Sequence, residues 1–287
     1  IDVAIMGGAV ISGVMFGDNL SIISDTTIAA TRSQGCEMKD KFKENLRIAI
    51  PAAIGVLILL FFLGSDAPLP PVGEIDWVKV IPYIAILVLA VAGVNVFVVL
   101  GSGVVMAGLV GLLQTPDYQL MNWAKDIYKG FSDMQEILIL AMLIGGLGAV
   151  MNHQGGLAFI VKFIDRTLAR MSARKGTVST ASAELGIASV VSLTNLAIAN
   201  NTVSIIVASG VAKDLAETHD VEPKRSASLL DIFACCIQGL LPYGAQALMI
   251  GAMFSLSPLT VSMHVFYPMI LAASAILTIL FRKRQVA

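Results

Sequence analysis

The sequence predicts an all-α, polytopic membrane protein built from two repeats. Three observations lead to this fold class: an apolar composition, apolar runs of membrane-crossing length, and two polar segments set in apolar surroundings. Hydrophobic residues make up 56% of the 287 residues and charged residues only 14%, whereas soluble domains carry about 25% charged residues. Several runs approach the ~20 residues that cross a bilayer as a helix, namely Ile48–Leu63, Ile81–Leu113, Ile137–Met151 and Val261–Phe281.

The charge and motif content excludes other classes of protein. Nineteen basic and twenty acidic residues give no electrostatic footprint for nucleic acid. Three cysteines do not form a disulfide framework, and the lack of a P-loop argues against an ATP-driven pump. The chain begins at Ile1 rather than methionine, so we expect further residues to precede it.

The first polar segment, DNLSIISDTT at residues 18–27, interrupts an apolar stretch. The arms on either side are short, and eight to ten helical residues reach only about half of a ~30 Å hydrocarbon core. We therefore predict a re-entrant helical hairpin at residues 1–35 with its polar tip near the middle of the membrane. Non-helical backbone is tolerated at that depth only where protein or a cavity shields it.

The second polar segment, TNLAIANNTV at residues 194–203, aligns with the first without gaps at an offset of 176, which is 194 − 18. Asp25 falls on Asn201, and four positions are identical, namely Asn19 and Asn195, Leu20 and Leu196, Ile22 and Ile198, and Thr26 and Thr202. We therefore predict a first repeat at residues 1–116, with its N-terminal part missing, and a second at residues 117–287. Paired interrupted segments are typical of the binding site of a secondary transporter.

The remaining segments complete this plan. In each copy a charged loop follows the hairpin, and then comes a span that contains a proline, Pro51 or Pro242. An inverted repeat would place the regions of Gly35 and Lys213 on opposite faces of the membrane. In the second repeat we expect interfacial helices at 117–133 and 155–175, a hairpin at 177–213, a helix at 228–254 broken at 239–244, and a last span at 261–281.

Two carboxylates in the first segment point to cation or proton binding. A charged side chain at the membrane centre costs ~3 kcal/mol on insertion scales, and no basic residue occurs between Ile1 and Arg32. A bound cation, a proton or a helix N-terminus can offset the charge of Asp18 and Asp25. Oxygen ligands suit alkali and alkaline-earth cations, and the segment supplies further oxygens from Asn19, Ser21, Ser24, Thr26 and Thr27.

The second segment carries no charge, so it suits a substrate or a weaker second cation. Its candidate ligands are Thr194, Asn195, Asn200, Asn201 and Thr202, with Gln246 beyond the later helix break. The alternative is that these side chains only cap the open helix ends of a hairpin tip. Glu184 is a candidate proton carrier, and the alternative is a packing carboxylate paired elsewhere.

Two stretches resemble a known family. FGDNLSIISDTT at residues 16–27 resembles the signature of the NhaC-type Na⁺/H⁺ antiporter family, and VEPKRSASLLDIFACCIQGLLPYGAQA at 221–247 resembles the late region of that family. The similarity covers most of the chain, as the C-terminal portion of such a transporter. It implies twin tip triplets, Ser24-Asp25-Thr26 and Asn200-Asn201-Thr202, with Na⁺ at Asp25 and Ser24. The second triplet lacks the serine, which weakens the case for a second Na⁺ site there.

These observations predict a secondary active transporter of Na⁺/H⁺ antiport type, which works by alternating access with a carboxylate site at a hairpin tip. The alternative is Na⁺- or H⁺-coupled transport of an amino acid or a small carboxylate, and a channel or a non-transporting membrane scaffold is the third. We expect no enzymatic activity, no catalytic residue, and no cofactor apart from Na⁺ as the transported or coupling ion. The expected partners are the lipid bilayer, Na⁺ and H⁺, with an organic substrate and a homodimer left open, and the expected location is the bacterial inner membrane.

Overall fold

A computed structural model of the chain describes residues 2–21, 24–63, 76–92, 94–156, 159, 162, 166 and 179–281. Throughout these residues the regular elements are helices, which confirms the all-α class. The described residues form twelve helices: α1 Val3–Asn19, α2 Asp25–Gln34, α3 Met38–Phe62, α4 Trp77–Val91, α5 Val96–Gln114, α6 Leu120–His153, α7 Thr180–Ile198, α8 Asn201–Thr218, α9 Pro223–Leu240, α10 Ala245–Phe254, α11 Pro258–Met263 and α12 Phe266–Phe281.

The chain divides into two compact units. One comprises Ile1–Asp66 with Leu140–Ala287, and the other comprises Ala67–Ile139. The second unit holds α4, α5 and the first part of α6, with α4 packed against α5. This division differs from the predicted repeat boundary at 116/117, so the two repeats stay a prediction. Most of the expected basic arm at 155–175 lies outside the described residues.

The described residues contain four helices long and apolar enough to cross a membrane. They are Met38–Phe62, Phe97–Gln114, Thr180–Ile198 and the interrupted helix Pro223–Phe254. The chain is therefore an integral membrane protein, as its composition predicts.

The charged stretch at 37–47, expected to be a loop, instead forms the first turns of α3. The buried positions of this helix recur every three or four residues along one face, namely Lys41, Glu44, Asn45, Ile48, Ala49, Ala52 and Val56. The helical spacing of buried residues therefore begins within the charged stretch, before the apolar run. As a result α3 carries polar side chains into the core.

Two expected boundaries in the second half are wrong. The interfacial helix at 117–133 and the span at 137–151 form one continuous helix, α6, because no proline interrupts residues 120–153. The last span at 261–281 is instead divided into α11 and α12. Pro268 explains this break, since a proline cannot donate to the carbonyl of the residue four positions earlier, which is His264.

The break expected at 239–244 is confirmed, since α9 ends at Leu240 and α10 begins at Ala245. Pro242 lies inside the break, where it cannot continue the helix. α9 is the central helix of the first unit, because it packs against α1, α2, α3, α7, α8 and α12. Nearly all of its side chains are buried. The residues of α9 therefore serve as reference points for locating the neighbouring helices.

Their contacts with α9 show that α7 and α8 form a helical hairpin. The start of α7 and the end of α8 lie on the same side of the unit. Early in α7, Glu184 contacts Arg225 near the start of α9, and later Asn195 contacts Ala234. α8 then returns along α7, and the two helices pack against each other. The return arm is longer than expected, because α8 continues to Thr218.

The segment at 1–35 is different, because α1 and α2 do not pack along one another in the described residues. α1 packs against the far end of α9 and against α10–α12, whereas α2 packs against α3, α8 and α9. Gln34, the last residue of α2, bonds to Ser226 at the start of α9 and to Ser209 of α8. α1 and α2 therefore follow one another along α9 instead of packing side by side, so the hairpin expected at 1–35 is not seen in the described residues.

The same contacts correct the expected placement of Gly35 and Lys213. The Gln34 side-chain nitrogen lies 3.1 Å from the Ser209 carbonyl oxygen, so the C-terminal end of α2 lies beside α8. α2 and α8 run in the same direction away from their interruptions. Gly35 and Lys213 therefore lie toward the same side of the unit, not on opposite faces.

Candidate functional site

Three helix interruptions of the first unit, those of α1–α2, α7–α8 and α9–α10, approach one another beside the C-terminal half of α9. The Asp18 carboxylate, in the last turn of α1, lies beside the Asn201 side chain at the start of α8. The Tyr243 hydroxyl, in the α9–α10 break, donates to the Leu196 carbonyl near the end of α7. Residues from the two predicted polar segments are thus brought into direct contact.

The first interruption is closed by its own hydroxyl groups. Ser24 caps α2, because its Oγ accepts from the Thr27 amide at 3.2 Å. The Ser24 hydroxyl also donates to Thr27 Oγ1 at 3.0 Å and bonds to Thr26 Oγ1 at 2.9 Å, while the Thr27 hydroxyl donates to the Ser21 carbonyl at 2.9 Å. Thr26 and Thr27 are buried. These predicted ligands therefore also hold the interrupted backbone in place.

The two predicted carboxylates occupy different environments. Asp25 is exposed at the first residue of α2, where the free amides of the helix N-terminus favour a negative charge. Asp18 is half-buried and lies within electrostatic range of Asp25, Asp231 and Lys41. Asp18 is therefore the inner carboxylate and Asp25 the outer one.

A buried ion pair that was missing from the sequence-based site lies next to Asp18. The Lys41 ammonium contacts Asp231 Oδ2 at 2.7 Å and donates to Thr27 Oγ1 at 2.7 Å. Asn45 Nδ2 donates to the same Asp231 oxygen at 2.8 Å and to the Asn19 carbonyl at 2.8 Å. The helical spacing of Lys41 and Asn45 with the apolar face of α3 is the signal that could have revealed both residues.

The charges around this point do not cancel. Three carboxylates, those of Asp18, Asp25 and Asp231, lie near one ammonium, that of Lys41. A cation, a proton or, for Asp25, the N-terminus of α2 can offset this excess of negative charge inside a membrane protein. The arrangement can therefore hold a monovalent cation and release it on protonation.

The amides of the second segment are largely engaged by the protein itself. Asn195 Nδ2 donates to Asn201 Oδ1 at 3.0 Å and to the Ala234 carbonyl at 2.7 Å, and its Oδ1 accepts from Ser204 at 3.2 Å. Asn200 caps α8 by accepting from the Val203 amide at 3.0 Å. These contacts agree with the capping alternative for Asn195 and Asn200.

The other predicted ligands of this group lie close by. Thr194 is buried and donates to two carbonyls of its own helix, both at 2.9 Å. Thr202 is half-buried in the first turn of α8. Gln246 accepts from Gln238 Nε2 at 3.2 Å across the α9–α10 break. None of these contacts tests a ligand role, which stays a prediction.

Glu184 lies in a separate buried cluster. Arg225 donates from Nε and Nη2 to Glu184 Oε2 at 3.1 and 2.9 Å, from Nη1 to Glu44 at 3.4 Å and from Nη2 to Thr278 at 2.9 Å. An arginine stays protonated at any physiological pH, so the contact is an ion pair closed inside the core. This geometry agrees with the packing alternative for Glu184.

The donor set at the interruptions is one of hard oxygens. In the described part of the chain, no group of three or more His, Cys, Asp or Glu side chains is placed to share a metal ion. Mixed carboxylate, amide and hydroxyl oxygens suit alkali cations better than transition metals.

The comparisons with known proteins point to one family. Residues 72–282 match the model of the Na⁺/H⁺ antiporter family. The chain is 23% identical over 272 residues to the Na⁺/H⁺ antiporter NhaC of Bacillus subtilis (strain 168), an alignment that covers 83% of this chain and 58% of that protein. It is 22% identical over 315 residues to the Na⁺/H⁺ antiporter NhaC of Alkalihalophilus pseudofirmus, which covers 98% of this chain and 65% of that protein. The chain thus spans less than two thirds of both relatives, and no solved structure gives a significant match.

Proposed function

Because the chain belongs to the Na⁺/H⁺ antiporter family, we propose that it exchanges Na⁺ for H⁺ across a membrane, at a site formed where its helix interruptions meet. The observation that carries this proposal is the contact between Asp18 of α1 and Asn201 of α8, with Asp25 close by. It brings a carboxylate and an amide from the two polar segments to one point. We expect the membrane to be the bacterial inner membrane.

Competition for the carboxylates is the proposed basis of exchange. Asp25, with Ser24 beside it, is the outer ligand that receives Na⁺, and Asp18 is the inner ligand that shares it. Since a carboxylate binds either Na⁺ or H⁺, occupancy by one ion excludes the other, and each gradient can drive the opposite flux. The chemistry needs no bound cofactor.

The interruptions also suit alternating access. The α7–α8 hairpin is proposed to be re-entrant, with its tip at Ala199–Asn200, and α1–α2 and α9–α10 are proposed to be interrupted crossings. Interrupted helices expose free carbonyls and amides at mid-membrane depth, where they can hold an ion without a full complement of side chains. A movement of the hairpin tip against α1–α2 would then open the site to either side.

Coupled uptake of an amino acid or a small carboxylate is less well supported. Such a cargo would need free amide donors for its carboxylate, and both donations of Asn195 Nδ2 go to protein acceptors. Because Asn195 is engaged in this way, cation exchange is the function that we propose, and coupled uptake through Asn200 or Asn201 stays the alternative.

The test is a flux assay in proteoliposomes that contain the intact protein and an internal pH indicator. An imposed Na⁺ gradient is expected to drive proton movement in the opposite direction, and a K⁺ gradient is not. Asp18→Asn is expected to abolish the signal. Asp214→Asn, which changes an exposed carboxylate on α8, is expected to leave it intact. Exchange of Na⁺ for protons at the normal rate by Asp18→Asn would overturn the assignment.

A further inference from the structure

Two buried amide oxygens near the site have no hydrogen-bond partner among the described residues. They are Oδ1 of Asn19 and Oδ1 of Asn45, whose residues are 1% and 0% exposed. A buried oxygen that lacks a partner forfeits its interaction with water and destabilises the fold. Such atoms in a native structure call for a ligand, an ion or an ordered water.

The orientation of both amides is set by their nitrogens. Asn19 Nδ2 donates to the Met15 carbonyl at 3.1 Å and to Cys235 Sγ at 2.9 Å. Asn45 Nδ2 donates to the Asn19 carbonyl and to Asp231 Oδ2, both at 2.8 Å. Exchanging oxygen and nitrogen in either amide would point an oxygen at acceptors. Both amide oxygens are therefore directed away from these acceptors, and the Tyr267 hydroxyl, which also lacks a partner among the described residues, lies beside the Asn19 side chain.

The adjoining carboxylate already holds a cation, which is the ammonium of Lys41. Its nitrogen lies 2.7 Å from Asp231 Oδ2 and 2.7 Å from Thr27 Oγ1, and both charged side chains are at least 98% buried. A buried monovalent cation held by a carboxylate and a hydroxyl oxygen resembles the environment of a bound alkali ion. In this case the cation is attached to the chain.

We propose that Asp231, Asn45 and Asn19 form a second sodium site between α1, α3 and α9, and that Lys41 is its built-in competitor. With Lys41 on Asp231 the site is neutral and excludes Na⁺. When the ammonium withdraws from Asp231, the carboxylate and the two amide oxygens present three oxygen ligands to Na⁺. The identity of the ion rests on the proposed function, whereas the location of the site rests on these contacts alone.

The test measures Na⁺ binding to the intact protein in detergent, as radioactive Na⁺ retention at constant ionic strength with choline as the replacement. Lys41→Met removes the competing charge at similar side-chain length and is expected to bind Na⁺ at least tenfold more tightly than the parent. Lys41→Gln keeps a hydrogen-bond donor for Asp231 and Thr27, and it is expected to shift affinity in the same direction if Lys41→Met does not fold. Adding Asp231→Asn to either variant is expected to remove the gain.

Two results would overturn the proposal. Unchanged Na⁺ affinity in a folded Lys41 variant would mean that the ion pair is structural and that ordered water satisfies the two amide oxygens. A gain that disappears in the Asp18→Asn, Asp25→Asn background would place the ion at those carboxylates instead. Loss of Na⁺/H⁺ exchange in proteoliposomes, by contrast, bears on the proposed function and leaves this binding measurement valid.

Discussion

The Asp18 side chain on α1 lies beside the side chain of Asn201 on α8. Asp18 lies in the last turn of the helix before the first interruption, and Asn201 begins the helix after the second. A half-buried carboxylate thus faces an amide donor supplied by a distant part of the sequence. This contact makes the two polar segments parts of one site.

The pairing predicts a reciprocal effect of exchanging the two groups. Asn201→Asp alone places a second carboxylate against Asp18, and like charges at this distance repel each other. We expect the Asn201→Asp variant to unfold at a lower temperature than the parent protein in the absence of Na⁺. The double variant Asp18→Asn, Asn201→Asp restores one carboxylate and one amide, and it is expected to recover most of the lost stability. Thermal unfolding in detergent of the two single variants and the double variant measures the coupling, and additive changes would argue against direct contact.

Asp25→Asn tests the outer ligand. The amide keeps the shape and one oxygen but removes the charge that binds both Na⁺ and H⁺. We expect the variant to insert into the membrane normally. The Na⁺ concentration at half-maximal exchange should rise roughly a hundredfold, which corresponds to about 3 kcal/mol of lost binding free energy. The pH dependence of exchange should be lost as well. The measurement is the Na⁺ concentration at half-maximal exchange across a pH series, with Asp214→Asn as the control. An unaltered pH profile would remove Asp25 from the mechanism.

Arg225 is expected to be the most sensitive charged position for stability. Arg225→Met removes the buried guanidinium that bonds to Glu184, Glu44 and Thr278, and breaking a buried ion pair in this way costs about 3–5 kcal/mol. Arg47→Met, on the same side of the unit but with a side chain 77% exposed, is expected to change stability by less than about 1 kcal/mol. Denaturation of the two purified variants compares them directly, and equal effects would contradict the role assigned to the cluster.

Gly8 marks a close approach between α1 and the α11–α12 break. A Cβ added at Gly8 would lie 2.1 Å from the His264 carbonyl oxygen, whereas one added at Gly13 would meet nothing within 4 Å. We expect Gly8→Ala to destabilise the protein by about 1–3 kcal/mol. Gly13→Ala is expected to be neutral or slightly stabilising, since alanine is the better helix former. Comparable melting temperatures for the two variants would contradict the packing of α1.

Labelling can test the placement of α2 and α8. Burial, followed by the nearby Asp40 carboxylate, raises the pKa of the Cys36 thiol above its ordinary value, so its thiolate fraction is low at neutral pH. We expect alkylation of Cys36 to accelerate as the pH rises through 9 and beyond. A cysteine in place of Lys213, which is exposed, should react from the same side of the membrane. Labelling of the two positions from opposite sides of the membrane would contradict this placement and support the inverted repeat predicted from the sequence.

The sequence predicts the interruptions well because they are local. Asn and Ser caps, Pro242 and the polar clusters interrupt helices whatever those helices pack against, so α9 ends at the expected break, whereas α7 continues into the polar segment as far as Ile198. The hairpin at 1–35 is different, since only the packing partners of α1 and α2 distinguish a return from a crossing. The residues against which α1 and α2 pack lie in α8, α9 and α12, so residues 1–35 alone do not determine which arrangement forms.

The ion pair of Lys41 shows the same limit within the site. Its lysine lies among seven charged residues at 37–47, most of which a helix would expose to water. Only the meeting of α3 with α9 selects Lys41 and Asn45 for burial. The sequence contains the helical period that singles them out, but not the carboxylate of Asp231 that makes their burial stable.

The Lys41–Asp231 pair also constrains how the protein is made. Since α3 is synthesised long before α9, Lys41 enters the bilayer before its ion-pair partner exists. As the fourth residue of its helix, it can extend to the lipid headgroups during that interval. Once Asp231 arrives, the ammonium exchanges water for a carboxylate, and α3 can settle to its final depth. Biogenesis therefore has an order, in which the position of α3 becomes final only after α9 has been inserted.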